Sequence, residues 1–283
     1  MCKFHFWLNE KKDKIDLYPR IFEENNEGFD TINLLEKIDY FDLNFYSNVE
    51  NINASYVTSL NNNYLGNELN NQIWSSSQND IIDGRNGIDT VVYSNAKSAV
   101  TVNLSSIVVQ STGGSGSDTL INVENLTGSK YNDVLTGNSG ANVLDGGLGN
   151  DTLIGDKGND TYIFSRGSNL DTIIENDTTA GNKDTLSFDS NIAANQLWFT
   201  KTGNNLEVSV IGTTDKAVIK DWYLGNAYHV EELKSGNGLT LLDSQVQNLV
   251  NAMASLTPPA VGQTSLSADY QTKLNPVITA NWK

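Results

Sequence analysis

Between Gly128 and Ile163 the chain repeats one nine-residue phrase four times without a gap: GSKYNDVLT, GNSGANVLD, GGLGNDTLI and GDKGNDTYI. Each opens on glycine, the sixth place holds Asp133, Asn142, Asp151 and Asp160, and the eighth holds Leu135, Leu144, Leu153 and Tyr162. Three of the four have a second glycine in fourth place, Tyr131 being the exception. Nine residues suffice for one turn and one short strand. A unit with a single large apolar residue cannot bury it alone, so the units must stack on one another. In a strand of three residues the central side chain points to one face and its neighbours to the other. The reading is an all-β fold, a parallel β-roll solenoid with Leu135, Leu144, Leu153 and Tyr162 along a thin core. If each unit is half a coil, turns on one edge lie two units apart, which stacks Asp133 over Asp151 and Asn142 over Asp160.

The turn residues point to a hard cation. Glycine permits positive φ and lets successive carbonyls face one concavity. Carbonyls joined by a carboxylate from the sixth place offer the all-oxygen environment that calcium takes, with six to eight ligands. An acid in sixth place with glycines at one and four asks for more than turn propensity, which Asp alone would satisfy.

The phrase continues in worn form. Gly113–Ile121 reads GGSGSDTLI with Asp118 sixth, and Gly84–Val92 reads GRNGIDTVV with Asp89 sixth. Before it, Ser75–Asp83 keeps Asp80 and Ile82, and Gly66–Trp74 keeps Gly66, Asn71 and Ile73. Downstream, Ser165–Ile173 carries Asp171 in a turn of altered spacing. Residues 1–65 are expected to be a degenerate lead-in, and 66–171 the roll.

After Ser165 the pattern turns antiparallel. Leu197 and Phe199 alternate before Gly203-Asn204-Asn205, and Leu206, Val208 and Val210 after it, which predicts a hairpin. Strands are expected at 217–223, 228–233 and 239–242, making 172–242 an antiparallel β cap on the open end of the solenoid. Val246, Leu249, Val250, Met253 and Leu256 predict a short amphipathic helix stopped by Pro258-Pro259. The remaining 24 residues, from Ala260, read as polar and loosely ordered. Upstream, AVTVNLSSIVV at 99–109 predicts one longer edge strand.

Composition fits a turn-rich solenoid. Apolar residues make up 38%, and 34 acids against 18 bases give a formal charge of −16, which excludes nucleic acid as the expected partner. Such a chain repels itself until cations neutralise it. Cys2 is the lone cysteine, so no intramolecular disulfide and no cysteine-based zinc site is expected. The opening residues lack the apolar run of a signal peptide, and no stretch suggests a membrane span. H-E-x-x-H, G-x-S-x-G and P-loop motifs are absent, and His5 and His229 are far apart, so no catalytic site is expected.

The template G-x-x-G-x-D-x-U-x, with phrases such as Val123-Glu124-Asn125-Leu126-Thr127-Gly128, resembles the RTX, or haemolysin-type calcium-binding, family over Gly66–Asp171. Residues 185–242 are similar to the calcium-binding-related domain that often follows such repeats. The tail at 246–282 resembles an uncleaved signal for type I export. The resemblance implies calcium as cofactor, an extracellular protein without a cleaved leader, and a type I secretion apparatus as partner. It implies ligands among the carboxylates of Asp133, Asp151 and Asp160, with Asp80, Asp89, Asp118 and Asp171 as outlying candidates. Backbone around Gly146, Gly147, Gly149, Gly155, Asp156 and Gly158 would complete the set, and Asn142 would coordinate without charge. The alternatives are the export and folding module of an RTX enzyme such as a protease, and an adhesin for cell-surface or polysaccharide ligands.

Overall fold

The computed structural model of the protein describes residues 30–34, 40–46, 48–58 and 61–283. Cys2, His5 and the rest of the aromatic opening lie outside the described residues. From Thr31 onward the chain winds as a flattened coil between two walls of β-sheet. One wall is a single ten-stranded sheet, in spatial order Thr31–Asn33, Asn51–Asn53, Gln72–Trp74, Thr90–Val92, Asn125–Thr127, Val143–Asp145, Thr161–Phe164, Thr185–Phe188, Glu232–Lys234 and Thr240–Leu242. Every neighbouring pair in it is parallel except the last. The opposite wall is built first by a five-stranded sheet that includes Asn62–Leu65, Asp80–Asp83 and Gly116–Ile121. It continues in a seven-stranded sheet through Thr101–Asn103, Val134–Thr136, Thr152–Ile154, Leu170–Ile174 and Lys216–Ile219.

Successive units alternate between the walls, as half-coils must. Val134 pairs with Thr152, and Val143 with Thr161. Leu135, Leu144, Leu153 and Tyr162 are buried between the walls, as are Ile52, Tyr64, Ile73, Ile82, Val91, Val102, Leu120 and Leu126 upstream. Burying each such side chain stabilises by roughly 1.5–3 kcal/mol. The strands at 31–65 belong to the same two walls, so the solenoid begins well upstream of Gly66.

The stretch at 99–109 departs from the expected long strand. Thr101–Asn103 is the edge strand, after which the Asn103 side chain accepts the Ser105 N–H at 2.8 Å and turns the chain. Ile107, Val108 and Val109 stand exposed on the resulting loop.

The cap opens with the expected hairpin, Leu197–Thr202 against Asn205–Val210. The expected strand at 217–223 is Lys216–Ile219 followed by a 3-10 turn at Trp222–Leu224, and that at 228–233 is a 3-10 turn at Asn226–Tyr228 followed by Glu232–Lys234. Helix α1 (Asp243–Met253) lays Val246, Leu249, Val250 and Met253 against the hairpin. The tail is not loose. Helix α2 (Ala268–Asn281) starts at Ser267, whose side chain accepts the Tyr270 N–H, and it buries Leu274 and Ile278. Pro276 inside it removes only one helical hydrogen bond. Phe199 and Trp282 meet with ring centroids 6.5 Å apart, and Lys283 exchanges backbone hydrogen bonds with Thr240 at the sheet edge. Leu274→Ala is expected to lower the stability of the cap by about 2–3 kcal/mol. A urea melt followed through tryptophan fluorescence would check this.

Candidate metal centre

The sixth-place residues form two ladders, one along each edge of the roll. In each rung a carboxylate Oδ1 accepts the backbone N–H of the sixth-place residue in the coil before it. Asp151 accepts from Asp133 at 2.8 Å, Asp171 from Asp151 at 3.0 Å, Asp160 from Asn142 at 2.8 Å and Asp184 from Asp160 at 2.8 Å. Upstream, Asp89 accepts from Asn71 at 2.7 Å and Asp118 from Asp80 at 2.9 Å. The expected stacking of Asp133 with Asp151 and of Asn142 with Asp160 is therefore a direct contact.

Apart from the hairpin turn before Asp118, where positive φ falls at Gly113 and Gly116, eight turns of the roll take two conformations, set by the second place. In a closed turn the second place is Asn or Ser, and its backbone N–H points inward to the sixth-place side chain. Asn67 donates in this way to Asn71, Ser76 to Asp80, Ser129 to Asp133 and Asn138 to Asn142. Its side chain accepts the N–H of the fourth place, from Leu69, Gln78, Tyr131 and Gly140 in turn. That is the local turn hydrogen bond that Asn and Ser favour. In an open turn the second and fourth places both have positive φ: Arg85 and Gly87, Gly147 and Gly149, Asp156 and Gly158, Gly167 and Asn169. The inward N–H is then lost to the carboxylate four residues on, and Oδ2 of Asp89, Asp151, Asp160 and Asp171 is buried without a hydrogen-bond partner.

Those four oxygens are the test of fit for a cation. Burial pushes Asp89, Asp151 and Asp160 up to about 7 and Asp171 up to about 8, with nearby carboxylates adding to the effect. A buried carboxylate is costly unless paired or metal-bound. A first-place glycine opens the space around three of the four, Asp171 having Arg166 in that place. A Cβ on Gly146 would stand 2.3 Å from Asp151 Oδ2, one on Gly155 2.2 Å from Asp160 Oδ2, and one on Gly84 2.4 Å from Asp89 Oδ2. Carbonyls crowd the same edges, with Tyr131 O facing Gly149 and Gly140 O facing Gly158. Oxygen atoms and unsatisfied carboxylates in a glycine-walled cleft suit a hard divalent cation.

The other sequence candidates have different partners. Asp133 accepts from Ser129 and from the Val100 N–H. The Asn142 amide oxygen, expected to coordinate, accepts from Asn138, and its Nδ2 donates to Glu124 O. Asp80 is saturated by Asn62, Ser75 and Ser76, and Asp118 by Tyr93, Thr112 and the Asp80 N–H. Hydroxyl and amide groups thus occupy the hydrogen-bonding positions of Asp80, Asp118 and Asn142.

Asp184 and Asp215 were missed by the repeat reading. Asp184 lies 24 residues after Asp160, where the regular spacing is 18. The triplet Asp-Thr-apolar marks it nonetheless: Asp151-Thr152-Leu153, Asp160-Thr161-Tyr162 and Asp184-Thr185-Leu186 share it. Asp215 accepts N–H groups from Gly167 and Asn169 and carries no such triplet.

Comparison with protein families agrees with this geometry. The family model for the RTX calcium-binding nonapeptide repeat matches in four copies over residues 56–91 and 124–169. The model for the haemolysin-type calcium binding protein related domain matches residues 205–242. Neither describes a catalytic domain. Among the described residues no helix is long and apolar enough to cross a membrane.

Proposed function

We propose that this chain, an RTX-type calcium-binding protein with nonapeptide repeats followed by a haemolysin-type calcium-binding-related domain, is secreted unfolded by a type I apparatus and folds on calcium outside the cell. It has no catalytic site of its own in this reading. One observation carries the proposal: four buried carboxylate oxygens, on Asp89, Asp151, Asp160 and Asp171, have no hydrogen-bond partner among the described residues. Calcium supplies positive charge and a directionally tolerant coordination sphere to such oxygens. The residues divide the remaining work. Oδ1 of each aspartate ties one coil to the next, Oδ2 is left for the ion, and open-turn backbone at Gly147, Gly149, Asp156 and Gly158 lines the edge. The closed turns act as structural spacers, with Asp133 and Asn142 held by their own second-place residues. Binding to the native state alone stabilises it in proportion to the logarithm of free calcium, which suits a chain that meets calcium only after export.

The division proposed is residues 30–171 as the roll, 172–242 as its cap, and 243–283 as a docked helical pair that includes the export signal. A calcium titration followed by far-UV circular dichroism, with magnesium as control, tests the coupling of binding to folding. A folded spectrum in chelator at pH 8 that calcium leaves unchanged would refute it. Calorimetric stoichiometry tests the ligand assignment. Asp151→Ala is expected to remove one equivalent or weaken a site roughly 10- to 100-fold, whereas Asp80→Asn is expected to leave stoichiometry intact. The reverse pattern would overturn the distinction between open and closed turns.

A further inference from the structure

The last coil of the roll carries a third buried acid where the repeat has glycine. Glu175 directly follows the strand Leu170–Ile174, which pairs with Thr152–Ile154, the strand followed by Gly155. Glu175 therefore stands in register with Gly155. It is 1% exposed and points inward, where Oε1 accepts the hydroxyl of Tyr162 and Oε2 has no hydrogen-bond partner among the described residues. Tyr162 in turn occupies the core place that is leucine in the three preceding units, so the tyrosine hydroxyl and the glutamate occur together.

Two further carboxylates converge on the same point. Asp160 brings its unpartnered Oδ2. Asp184 is fixed from both sides, by the Asp160 N–H on Oδ1 and by Asn182 Nδ2 on Oδ2 at 2.9 Å. The Asn182 Oδ1 is itself buried without a partner. One oxygen from each of Asp160, Glu175 and Asp184 lies within 4.8 Å of the other two. Oxygens that bind one calcium at 2.3–2.6 Å can be up to about 5 Å apart, so the three can share one ion. Among the described residues, no ion pair joins any of the three to a lysine, arginine or histidine. Three carboxylates at 1% exposure without a countercharge are unfavourable, and a cation at their centre relieves this.

We propose that the cation at the Asp160 turn is held by three carboxylates, Asp160, Glu175 and Asp184, in a site of the hard divalent, calcium class at the junction between the repeats and the cap, with the Asp160 Oδ2 left free by the open turn as one of its ligands. It rests on the reading that the chain binds calcium, but it is built differently from the turn edges. Its third carboxylate replaces a glycine, and Glu175 and Asp184 fall between the two family-matched segments, which end at 169 and resume at 205. The site lies where the strands Thr161–Phe164 and Thr185–Phe188 pair, and it takes in both ends of the irregular segment 175–184, which follows the strand Leu170–Ile174.

The test uses the full chain. Glu175→Gln is expected to remove one calcium equivalent by calorimetry, or to weaken one site at least tenfold, while in chelator it melts no lower than the unsubstituted protein. Terbium, a hard oxygen-seeking probe, is expected to show emission sensitised by Tyr162, with one component lost in Tyr162→Phe although that variant keeps its stoichiometry. Unchanged stoichiometry and affinities in Glu175→Gln would overturn the site and leave Glu175 as a protonated core acid. If that variant fails to fold, unchanged sensitised emission in Tyr162→Phe overturns it instead. An unsubstituted chain that binds no calcium refutes this site and the proposed function together. One that binds several equivalents, all retained in Glu175→Gln, refutes this site alone.

Discussion

Acid is expected to replace calcium in part: with calcium removed, the protein should gain stability as pH falls from 8 to 5.5, and with calcium present it should lose stability over the same interval. The opposite signs follow from the four open-turn aspartates. Without the ion, burial and neighbouring carboxylates hold Asp89, Asp151 and Asp160 at about 7 and Asp171 at about 8 in the fold, against an ordinary value of 3.8. Between those limits the folded chain holds protons that the unfolded chain has released. The free energy of unfolding therefore falls as pH rises, by about 1.4 kcal/mol per pH unit for each such carboxyl. The contribution is fully present below pH 3.8 and is lost as pH climbs through the folded values near 7 to 8. With calcium bound the same groups are ionised in the fold, protons compete with the ion, and acidification destabilises. Four groups acting together shift stability by several kcal/mol, comparable with the whole stability of an ordinary domain. Urea melts at pH 5.5, 6.5 and 8, after removal of calcium and in its excess, would read the two slopes. Parallel slopes would mean that these carboxylates neither bind the ion nor titrate as buried groups.

Gly149→Ala is expected to destabilise the protein by about 4 kcal/mol or more, and Gly140→Ala by no more than about 1 kcal/mol, although both glycines hold the fourth place of a unit. Gly149 belongs to an open turn with φ at +132°, and a Cβ there would meet Tyr131 O at 2.3 Å and Tyr131 C at 2.6 Å in the coil before. Strain at such a φ costs about 1–3 kcal/mol, and forced displacement of packed backbone about as much again. Gly140 sits in a closed turn without positive φ, and its nearest neighbour is the Asn138 side chain at 3.2 Å. A small displacement of that side chain accommodates the methyl group. Thermal melts in excess calcium would separate the pair, and equal losses would show that the two turn conformations are not distinct.

The roll was legible because its period is local. Gly128 to Ile163 shows the strand spacing, the inward residues and the stacking partners without reference to distant sequence, and the hairpin at 197–210 is equally local. The turn conformations were legible in principle. Asn67, Ser76, Ser129 and Asn138 differ from Arg85, Gly147, Asp156 and Gly167 in one place of the phrase, but the consequence appears only when the N–H of that place is traced to the sixth-place side chain. Helix α2 was obscured by the polar character of the stretch from Ala260, although Ser267 and the spacing of Leu274, Ile278 and Trp282 mark a capped apolar face. Glu175 and Asp184 were hidden for a different reason. Their meeting depends on the inserted residues between Ile174 and Thr185, and no periodicity extends across that segment.

The carboxylate rungs are set by coil height instead of chain length. Asp133 and Asp151 are 18 residues apart, Asp151 and Asp171 are 20, Asp160 and Asp184 are 24, and Asp80 and Asp118 are 38, yet each pair makes the same N–H to Oδ1 contact. Extra residues leave the coil at a turn and return to the same rung. Inheritance by duplication is correspondingly constrained. Copying two adjacent units lengthens both walls and leaves every side chain facing as before, whereas copying a single unit sends all later strands to the opposite wall and brings the wrong turns together. Growth in whole coils, with insertions confined to the edges, is the form of change this architecture can absorb.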